Sequence, residues 1–170
     1  MKILLLYSTK SNCSKDCSLQ LAELLSNHEV TICPVGTDVP SFSAFDFVLL
    51  GGGVRFGKFY PAMRRFLKVR ANELVSVPHA LFICCATGDR ADEYFDTLYP
   101  KALKESAFDC VYFGGSLDTR RFRGIGKIMI AIARFMLTDT EDEITLPEII
   151  DSNISLLATK ITASKGKSLS

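Results

Sequence analysis

Five short apolar runs recur along the chain, and segments with a helical spacing of apolar residues separate them. Parallel strands need a crossover connection, most often a helix, so this alternation predicts a parallel sheet with helices on its faces. The runs are apolar at nearly every residue, which is typical of strands that are buried on both sides. The predicted strands are Lys2–Tyr7, Val30–Cys33, Phe45–Leu50, Ala80–Cys85 and Cys110–Gly114.

The helical segments are recognised by their start signals and apolar faces. The first follows Ser14, and the second begins at Pro61, a residue suited to the first helical turn. The third contains Pro100, which predicts a kink or a split into two helices. Their apolar faces consist of Cys17, Leu21, Leu24 and Leu25, then Met63, Phe66, Leu67 and Leu74, then Phe95, Leu98 and Leu103. The last two predicted helices are residues 124–137 and 147–163.

This pattern predicts an α/β fold: a three-layer sandwich around a five-stranded parallel sheet of strand order 2-1-3-4-5. With 170 residues, of which 48% are hydrophobic, the chain suits one domain with a substantial core. We expect that domain over residues 1–163 and a flexible C-terminal tail over 164–170. In sheets of this order the ligand crevice lies at the carboxyl ends of the central strands. Functional residues should therefore gather in segments 8–14, 51–60 and 86–92.

Charge and hydropathy exclude several classes of protein. The formal net charge is +1, which does not favour strong binding to nucleic acid. No apolar run approaches the roughly 20 residues that span a bilayer, and the apolar N-terminal run ends at Tyr7 without a signal-peptide cleavage site. We therefore expect a cytoplasmic protein with no nucleic-acid partner.

The six cysteines predict thiols in a reducing compartment rather than disulfides. Cys13 and Cys17 are four residues apart at a helix start, but no second pair of metal ligands accompanies them. The sequence therefore predicts no metal site. The other four thiols lie in or beside apolar runs, where a thiol acts as a small hydrophobic group: Cys33, Cys84, Cys85 and Cys110.

Short polar side chains follow the first predicted strand, just before the first helix. The first backbone N–H groups of a helix are unpaired, and the positive end of the helix dipole lies behind them. A phosphate bound there accepts backbone hydrogen bonds, to which short hydroxyls add more. In the alternative interpretation, Ser14 only caps the helix and the remainder is a polar loop. The polar residues are Ser8, Thr9, Ser11, Asn12 and Ser14.

A glycine-rich aromatic segment, residues 51–61, follows the third predicted strand and reads GGGVRFGKFYP. Glycines let the backbone approach a ligand, and exposed aromatic rings such as Phe56 and Phe59 suit stacking on a flat ring. Alternatively, both rings pack inward and Gly51–Gly53 form a tight turn. Together with the polar loop, the segment favours a ligand with a phosphate and a flat ring, as in flavin mononucleotide (FMN).

These segments resemble a known family. YSTKSNCSK is similar to a flavodoxin phosphate loop, with Asn12 where that family usually has glycine; asparagine tolerates a left-handed backbone better than most residues. The segments GGGVRFGKFYPAMRRFL and FGGSLDTRRFRGIGKIMIAIARFML resemble the flavodoxin-like, menaquinone-dependent protoporphyrinogen oxidases. The resemblance extends from Met1 to about Ile161.

The resemblance implies an FMN-dependent oxidoreductase that passes electrons from a porphyrinogen or similar donor to a quinone. A redox partner protein is a further expected partner. No catalytic acid, base or nucleophile is predicted, because the flavin carries the chemistry while the protein supplies position, hydrogen bonds and charge. The implied cofactor-binding residues are Ser8, Thr9, Ser11, Asn12, Cys13, Ser14, Gly53, Val54, Arg55, Phe56, Gly57, Phe59, Thr87, Gly88 and Asp89.

Three interpretations stay open for the basic and apolar segment 120–137. Its helix, residues 124–137, would be about 21 Å long at 1.5 Å per residue, which is too short to span a bilayer. It packs on the sheet, or against a second subunit, or forms an apolar surface with a cationic rim. Such a surface suits a membrane-borne quinone or a carboxylated macrocycle and would allow peripheral contact with the inner face of a membrane. The last interpretation follows from the family resemblance, although the acidic run after Thr138 would be repelled by anionic lipids.

Two other functions fit the same fold. One is a flavodoxin-type electron carrier without its own substrate, and the other is a binding module that has lost FMN. A phosphorelay receiver is excluded because its phosphoaccepting Asp and acidic Mg²⁺ cluster are replaced here by glycines and hydroxyls.

Overall fold

The computed structural model describes residues 1–86, 88–115 and 148–164. The strands in these ranges are β1 (Lys2–Ser8), β2 (Glu29–Pro34), β3 (Phe47–Arg55), β4 (Lys58–Phe59), β5 (His79–Cys84) and β6 (Cys110–Tyr112). The α-helices are α1 (Cys13–Leu24), α2 (Pro61–Val75), α3 (Ala91–Leu98), α4 (Lys101–Glu105) and α5 (Asp151–Ser164). Short 3-10 turns occupy Phe42–Ala44 and Gly88–Arg90.

The main sheet has the strand order β2-β1-β3-β5-β6, and all of its neighbouring pairs are parallel. Strand β4 pairs with the end of β3, in antiparallel fashion. The predicted α/β fold with order 2-1-3-4-5 is thus confirmed, and β4 is an addition to it. The central strands end side by side, because Ser8 is paired with Gly52 and Gly53 with Cys84.

Two apolar layers cover the two faces of the sheet. On one face Ile3 and Leu5 pack with side chains of α1 and α5, and on the other Leu4 and Leu6 pack with side chains of α2, α3 and α4. Consecutive residues of a strand point to opposite faces, so burial on both sides requires an apolar residue at every position. This requirement explains the continuous apolar runs.

Most predicted helices form, with corrected ends. The third segment is split at Pro100 into α3 and α4, as predicted. Leu24 was predicted for the buried face of α1, but it lies in the last turn and is 45% exposed, whereas Leu25 is fully buried. The last helix begins at Asp151, four residues later than predicted. No helix in the described ranges combines the length and apolar content needed to cross a bilayer.

The predicted segments 120–137 and 165–170 lie outside the described residues. The helix predicted for residues 124–137 and its three interpretations therefore stay predictions. Ser164, the first residue of the predicted tail, is the last residue of α5.

Strand β3 runs through the glycines to Arg55, five residues beyond its predicted end at Leu50. The glycines are in the sheet because its neighbours approach too closely for a side chain: a Cβ atom at Gly51 would lie 2.3 Å from Phe82 Cγ. The alternative interpretation, in which Gly51–Gly53 form a tight turn, is therefore wrong. The chain turns instead at Phe56 and Gly57, whose φ angles of 50° and 69° match a two-residue type I′ hairpin.

Replacing Gly51 by alanine should destabilise the fold. Relieving the contact with Phe82 requires a shift of a packed ring, so we expect Gly51→Ala to lower the free energy of unfolding by about 1–3 kcal/mol in urea titrations. Gly53→Ala is the matched control, because its Cβ would meet Ser14 Oγ at an ordinary distance of 3.4 Å. Equal stability of the two variants would contradict the packing argument.

Candidate functional site

Three loops meet at the carboxyl edge of the central strands. The first leaves β1 at Ser8, the second is the hairpin turn after β3, and the third leads from β5 into the 3-10 turn Gly88–Arg90. The residue pairing brings these strand ends together. The three predicted functional segments therefore share one edge of the sheet.

The loop after β1 ends in a left-handed residue. Asn12 has φ 68° and ψ −12° and precedes the first residue of α1, so it adopts the left-handed backbone that asparagine tolerates better than most residues. Its carbonyl oxygen accepts the Asp16 N–H at 2.8 Å, while its side chain makes no capping bond. Ser14 is the second residue of the helix and not its cap. The interpretation of this loop as a simple serine cap is therefore wrong.

Ser14 carries a buried hydroxyl without a hydrogen-bond partner among the described residues. Leaving such a group unpaired costs about 1–3 kcal/mol, so its presence calls for an explanation. Gly53 lies beside it, and a Cβ at Gly53 would come within 3.4 Å of Ser14 Oγ and 3.6 Å of Tyr60 Cε2. The glycine thus keeps open the space next to an unsatisfied hydroxyl at a helix start.

The hairpin turn presents one exposed aromatic ring. Phe56 is 73% exposed, and its positive φ is unfavourable for a bulky side chain. Such strain persists where the surrounding structure enforces it, often at ligand-binding sites. The Arg55 guanidinium carbon lies 5.2 Å from the centre of the Phe56 ring.

The prediction that Phe59 is an exposed ring-side residue is wrong. Its side chain is only 3% exposed and contacts Tyr99 edge-on, with ring centres 5.0 Å apart. The cause is the alternation along β4, which turns Phe59 into the core and leaves Lys58 exposed.

The third loop carries Gly88 and Asp89, both exposed, while the predicted residue Thr87 lies outside the described part of the chain. Tyr112 packs over Gly88, where a Cβ would lie 2.8 Å from Tyr112 Cε1. The Tyr112 hydroxyl donates to the Cys85 carbonyl at 2.9 Å, and burial raises the pKa of Tyr112 to about 12. Sequence reasoning missed the position of Tyr112 beside this loop, because Tyr112 has the pattern of an ordinary strand residue.

Positive side chains surround the edge. Arg55 and Lys58 lie on the hairpin, and the exposed Lys10 and Lys15 flank the helix start. Arg90 makes a two-point pair with Glu93, at 2.9 and 2.7 Å, which lowers the pKa of the Glu93 carboxyl. Both members of that pair are exposed, so it contributes little to stability.

Three thiols lie behind the first loop. Cys13 and Cys17 of α1 and Cys84 of β5 have sulfur atoms within 4.8 Å of one another, and all three residues are buried. The hydrogen bond with Cys13 is the main cause that raises the pKa of the Cys17 thiol to about 12, and the same neighbour raises the pKa of Cys84. Cys17 and Cys84 are therefore protonated at neutral pH, which does not suit a nucleophile.

All six cysteines are thiols, as predicted. The sequence indicated only the pair on α1 and missed Cys84, because only the sheet and its packing against α1 bring that strand end to the helix.

Comparison with known proteins agrees with this architecture. The family model described as "Flavodoxin domain" matches residues 4–143. The chain belongs to the flavodoxin domain family. The predicted family resemblance is thereby confirmed. A curated relative, the protoporphyrinogen IX dehydrogenase [quinone] of Escherichia coli strain K12, is 24% identical over 156 residues, which cover 85% of this chain and 86% of the relative.

Solved flavodoxins share the fold. The flavodoxin of Streptococcus pneumonia TIGR4 has a TM-score of 0.60 at 11% identity and covers 96% of this chain and 99% of its own. The Fusobacterium nucleatum flavodoxin bound to flavin mononucleotide has a TM-score of 0.55 at 12% identity and covers 96% and 98%. Identities this low establish the flavodoxin fold alone.

The left-handed residue of the flavodoxin-like loop is open to a direct test. A residue with a Cβ pays roughly 1–2 kcal/mol for this conformation, asparagine less and glycine essentially nothing. We expect Asn12→Ala to lower the free energy of unfolding by about 1 kcal/mol, and Asn12→Gly to keep or raise it. The exposed Asn27, whose φ is negative, provides the control substitution Asn27→Ala. If Asn12→Gly were less stable than Asn12→Ala, the conformational argument would be contradicted.

Proposed function

We propose that the chain binds FMN at this edge, with the phosphate at the start of α1 and the ring between the hairpin turn and the 3-10 turn. The observation that carries the proposal is the buried hydroxyl of Ser14 beside Gly53, which has no hydrogen-bond partner in the part of the chain that the structure describes. A phosphate oxygen is a strong acceptor, and bound there it would satisfy this hydroxyl together with the first N–H groups of the helix.

The phosphate would be held by short side chains and backbone. Ser8 lies at the strand end, and Asn12 turns the chain so that the N–H groups of Cys13 and Ser14 open the helix. The loop hydroxyls of Thr9 and Ser11 are partly buried and supply further donors. Exposed lysines nearby balance the negative charge of a phosphate.

The ring would be bound by the other two loops. The side assigned to the hairpin consists of Gly53, Val54, Arg55, Phe56 and Gly57, and the opposite side includes Thr87, Gly88 and Asp89. Phe59 takes no direct part and supports the hairpin from the core. When bound, FMN supplies the capacity to accept and pass on electrons, while nearby charges such as Arg55 adjust its potential.

We further propose that the protein is an oxidoreductase that transfers electrons from a porphyrinogen or similar donor to a quinone. The similarity to the Escherichia coli dehydrogenase over most of both chains supports this assignment. The charge of the edge agrees with it, since a carboxylated porphyrinogen is an anion with apolar ring faces. Arg55 and Lys58 suit its carboxylates, and the exposed Phe56 suits its rings. A cytoplasmic location with peripheral membrane contact through residues 120–137 belongs to the same proposal.

The decisive experiment is the visible spectrum of the isolated protein, followed by anaerobic assays of porphyrinogen oxidation with a quinone acceptor. We expect a flavin spectrum and quinone-dependent turnover. A yellow protein that a reductase reduces but that never oxidises porphyrinogen would be an electron carrier, and the substrate proposal would then fail. If the protein did not bind FMN at high micromolar concentration, the cofactor and substrate proposals would both fail and only the assignment of the fold would stand.

Substitutions of two serines on α1, Ser14 and Ser18, distinguish an effect on phosphate binding from an effect on folding stability. We expect Ser14→Ala to weaken FMN binding about tenfold, the equivalent of one hydrogen bond, without lowering the stability of the flavin-free protein. Ser18→Ala is the matched control, because the buried Ser18 hydroxyl already donates to the Ser14 carbonyl at 2.7 Å. Its FMN affinity should stay at the wild-type value. Titrations followed by flavin fluorescence measure both, and equal affinities of the two variants would contradict the phosphate assignment.

The exposed ring of Phe56 provides a test of donor binding. Phe56→Gly relieves the unfavourable backbone angle, so stability should be kept or raised. The kcat/KM for porphyrinogen should fall about threefold to tenfold, because an aromatic contact contributes about 0.5–1.5 kcal/mol. Val69, which is equally exposed at 73% on α2, gives the control Val69→Ala. An unchanged kcat/KM in Phe56→Gly would show that the Phe56 ring does not contact the donor.

A further inference from the structure

The three-thiol cluster has no role in the proposed flavin chemistry. Cys13 opens α1, Cys17 lies one turn further along it, and Cys84 ends the neighbouring strand β5. Helix and strand thus contribute sulfurs to one point, although Cys84 lies 67 residues from Cys17 along the chain. The pairwise separation of all three sulfurs is 4.8 Å or less.

This arrangement has the dimensions of a metal site. The sulfurs of Cys17 and Cys84 are 3.8 Å apart. Three thiolates bound in a trigonal plane to one ion, at a metal–sulfur distance of about 2.3 Å, stand about 4.0 Å apart, which is close to this separation. An ion between them would therefore need only a small inward shift of Cys13, which lies in the first helical turn beside a loop.

We propose that Cys13, Cys17 and Cys84 form a three-thiolate site for a soft metal ion of low coordination number, with Cu(I) the best fit. Binding forms three Cu–S bonds and releases the three thiol protons to solvent. No electrons are transferred when the ion is supplied as Cu(I).

The donor set selects the ion. Hard ions such as Mg²⁺ and Ca²⁺ require oxygen ligands, and structural zinc almost always takes four protein ligands. In the described ranges, no histidine, cysteine or carboxylate joins these three as a fourth ligand. Thiolates favour Cu(I), which is satisfied by three of them.

The dipole of α1 suits the charge of the bound ion, and the partial exposure of Cys13 suits its entry. Three thiolates and one Cu(I) carry a net charge of −2, and the positive end of the α1 dipole lies at Cys13. Cys17 is fully buried, whereas Cys13 is 7% exposed and gives the ion a way in from the side of the loop.

The experiment is an anaerobic titration of the reduced full-length protein with Cu(I) in competition with a chromophoric Cu(I) chelator. We expect one tightly bound ion per chain and a thiolate-to-copper charge-transfer band in the ultraviolet. A hundredfold excess of Zn²⁺ should not displace it. Binding of less than half an equivalent, or ready displacement by Zn²⁺, would overturn the proposal.

Single substitutions locate the ion. Cys13→Ala and Cys17→Ala should each weaken Cu(I) binding at least tenfold, while Cys33→Ala and Cys110→Ala remove thiols outside the cluster and should leave it unchanged. Circular dichroism and thermal unfolding verify that each variant is folded. Loss of copper in the Cys33 or Cys110 variants, or its retention in Cys17→Ala, would overturn the assignment. No readout involves flavin or porphyrinogen, so the outcome is independent of the proposed function.

Discussion

The structure depends on the close parallel packing of β1, β3 and β5. Without side chains at Gly51 and Gly52, β3 can lie close to Phe82 and Ser8: a Cβ atom would lie 2.3 Å from Phe82 Cγ at position 51 and 3.0 Å from the Ser8 carbonyl oxygen at position 52. That packing aligns the ends of β1 and β5 with Gly52 and Gly53 of β3 and brings the loops that follow the three strands together. The helices then cover the two apolar faces that remain. The candidate site is therefore a consequence of backbone proximity in the middle of the sheet.

The edge combines features that cost stability when no ligand is bound. The buried hydroxyl of Ser14 is unpaired within residues 1–86, 88–115 and 148–164, and Asn12 and Phe56 hold backbone angles that favour glycine. An unpaired buried hydroxyl costs about 1–3 kcal/mol. A left-handed backbone costs roughly 1–2 kcal/mol for a residue with a Cβ, and less for asparagine. Their concentration in two adjacent loops, in an otherwise regular sheet, is typical of a surface selected for binding. The thiols of Cys13, Cys17 and Cys84 lie beneath the first loop, on the interior side of the same helix start.

The fold was largely predictable because buried parallel strands require continuous apolar runs, and the helices between them showed their own apolar periodicity. Predictions failed where tertiary contacts overruled local pattern. Glycines after Leu50 indicated a turn, yet they continue β3 because their neighbours leave no room for side chains. Phe59 resembled its exposed neighbour Phe56, but the hairpin and the alternation of β4 direct it into the core.

By itself the sequence determined the layer order and the three segments that gather at one edge of the sheet, because each depends on local composition and spacing. Only the tertiary structure decided which side chains are exposed at the edge, that the Ser14 hydroxyl has no hydrogen-bond partner among the described residues, and that Cys84 joins the two thiols of α1. The physical reason is that burial and pairing depend on contacts between residues distant in the chain, which no local pattern encodes.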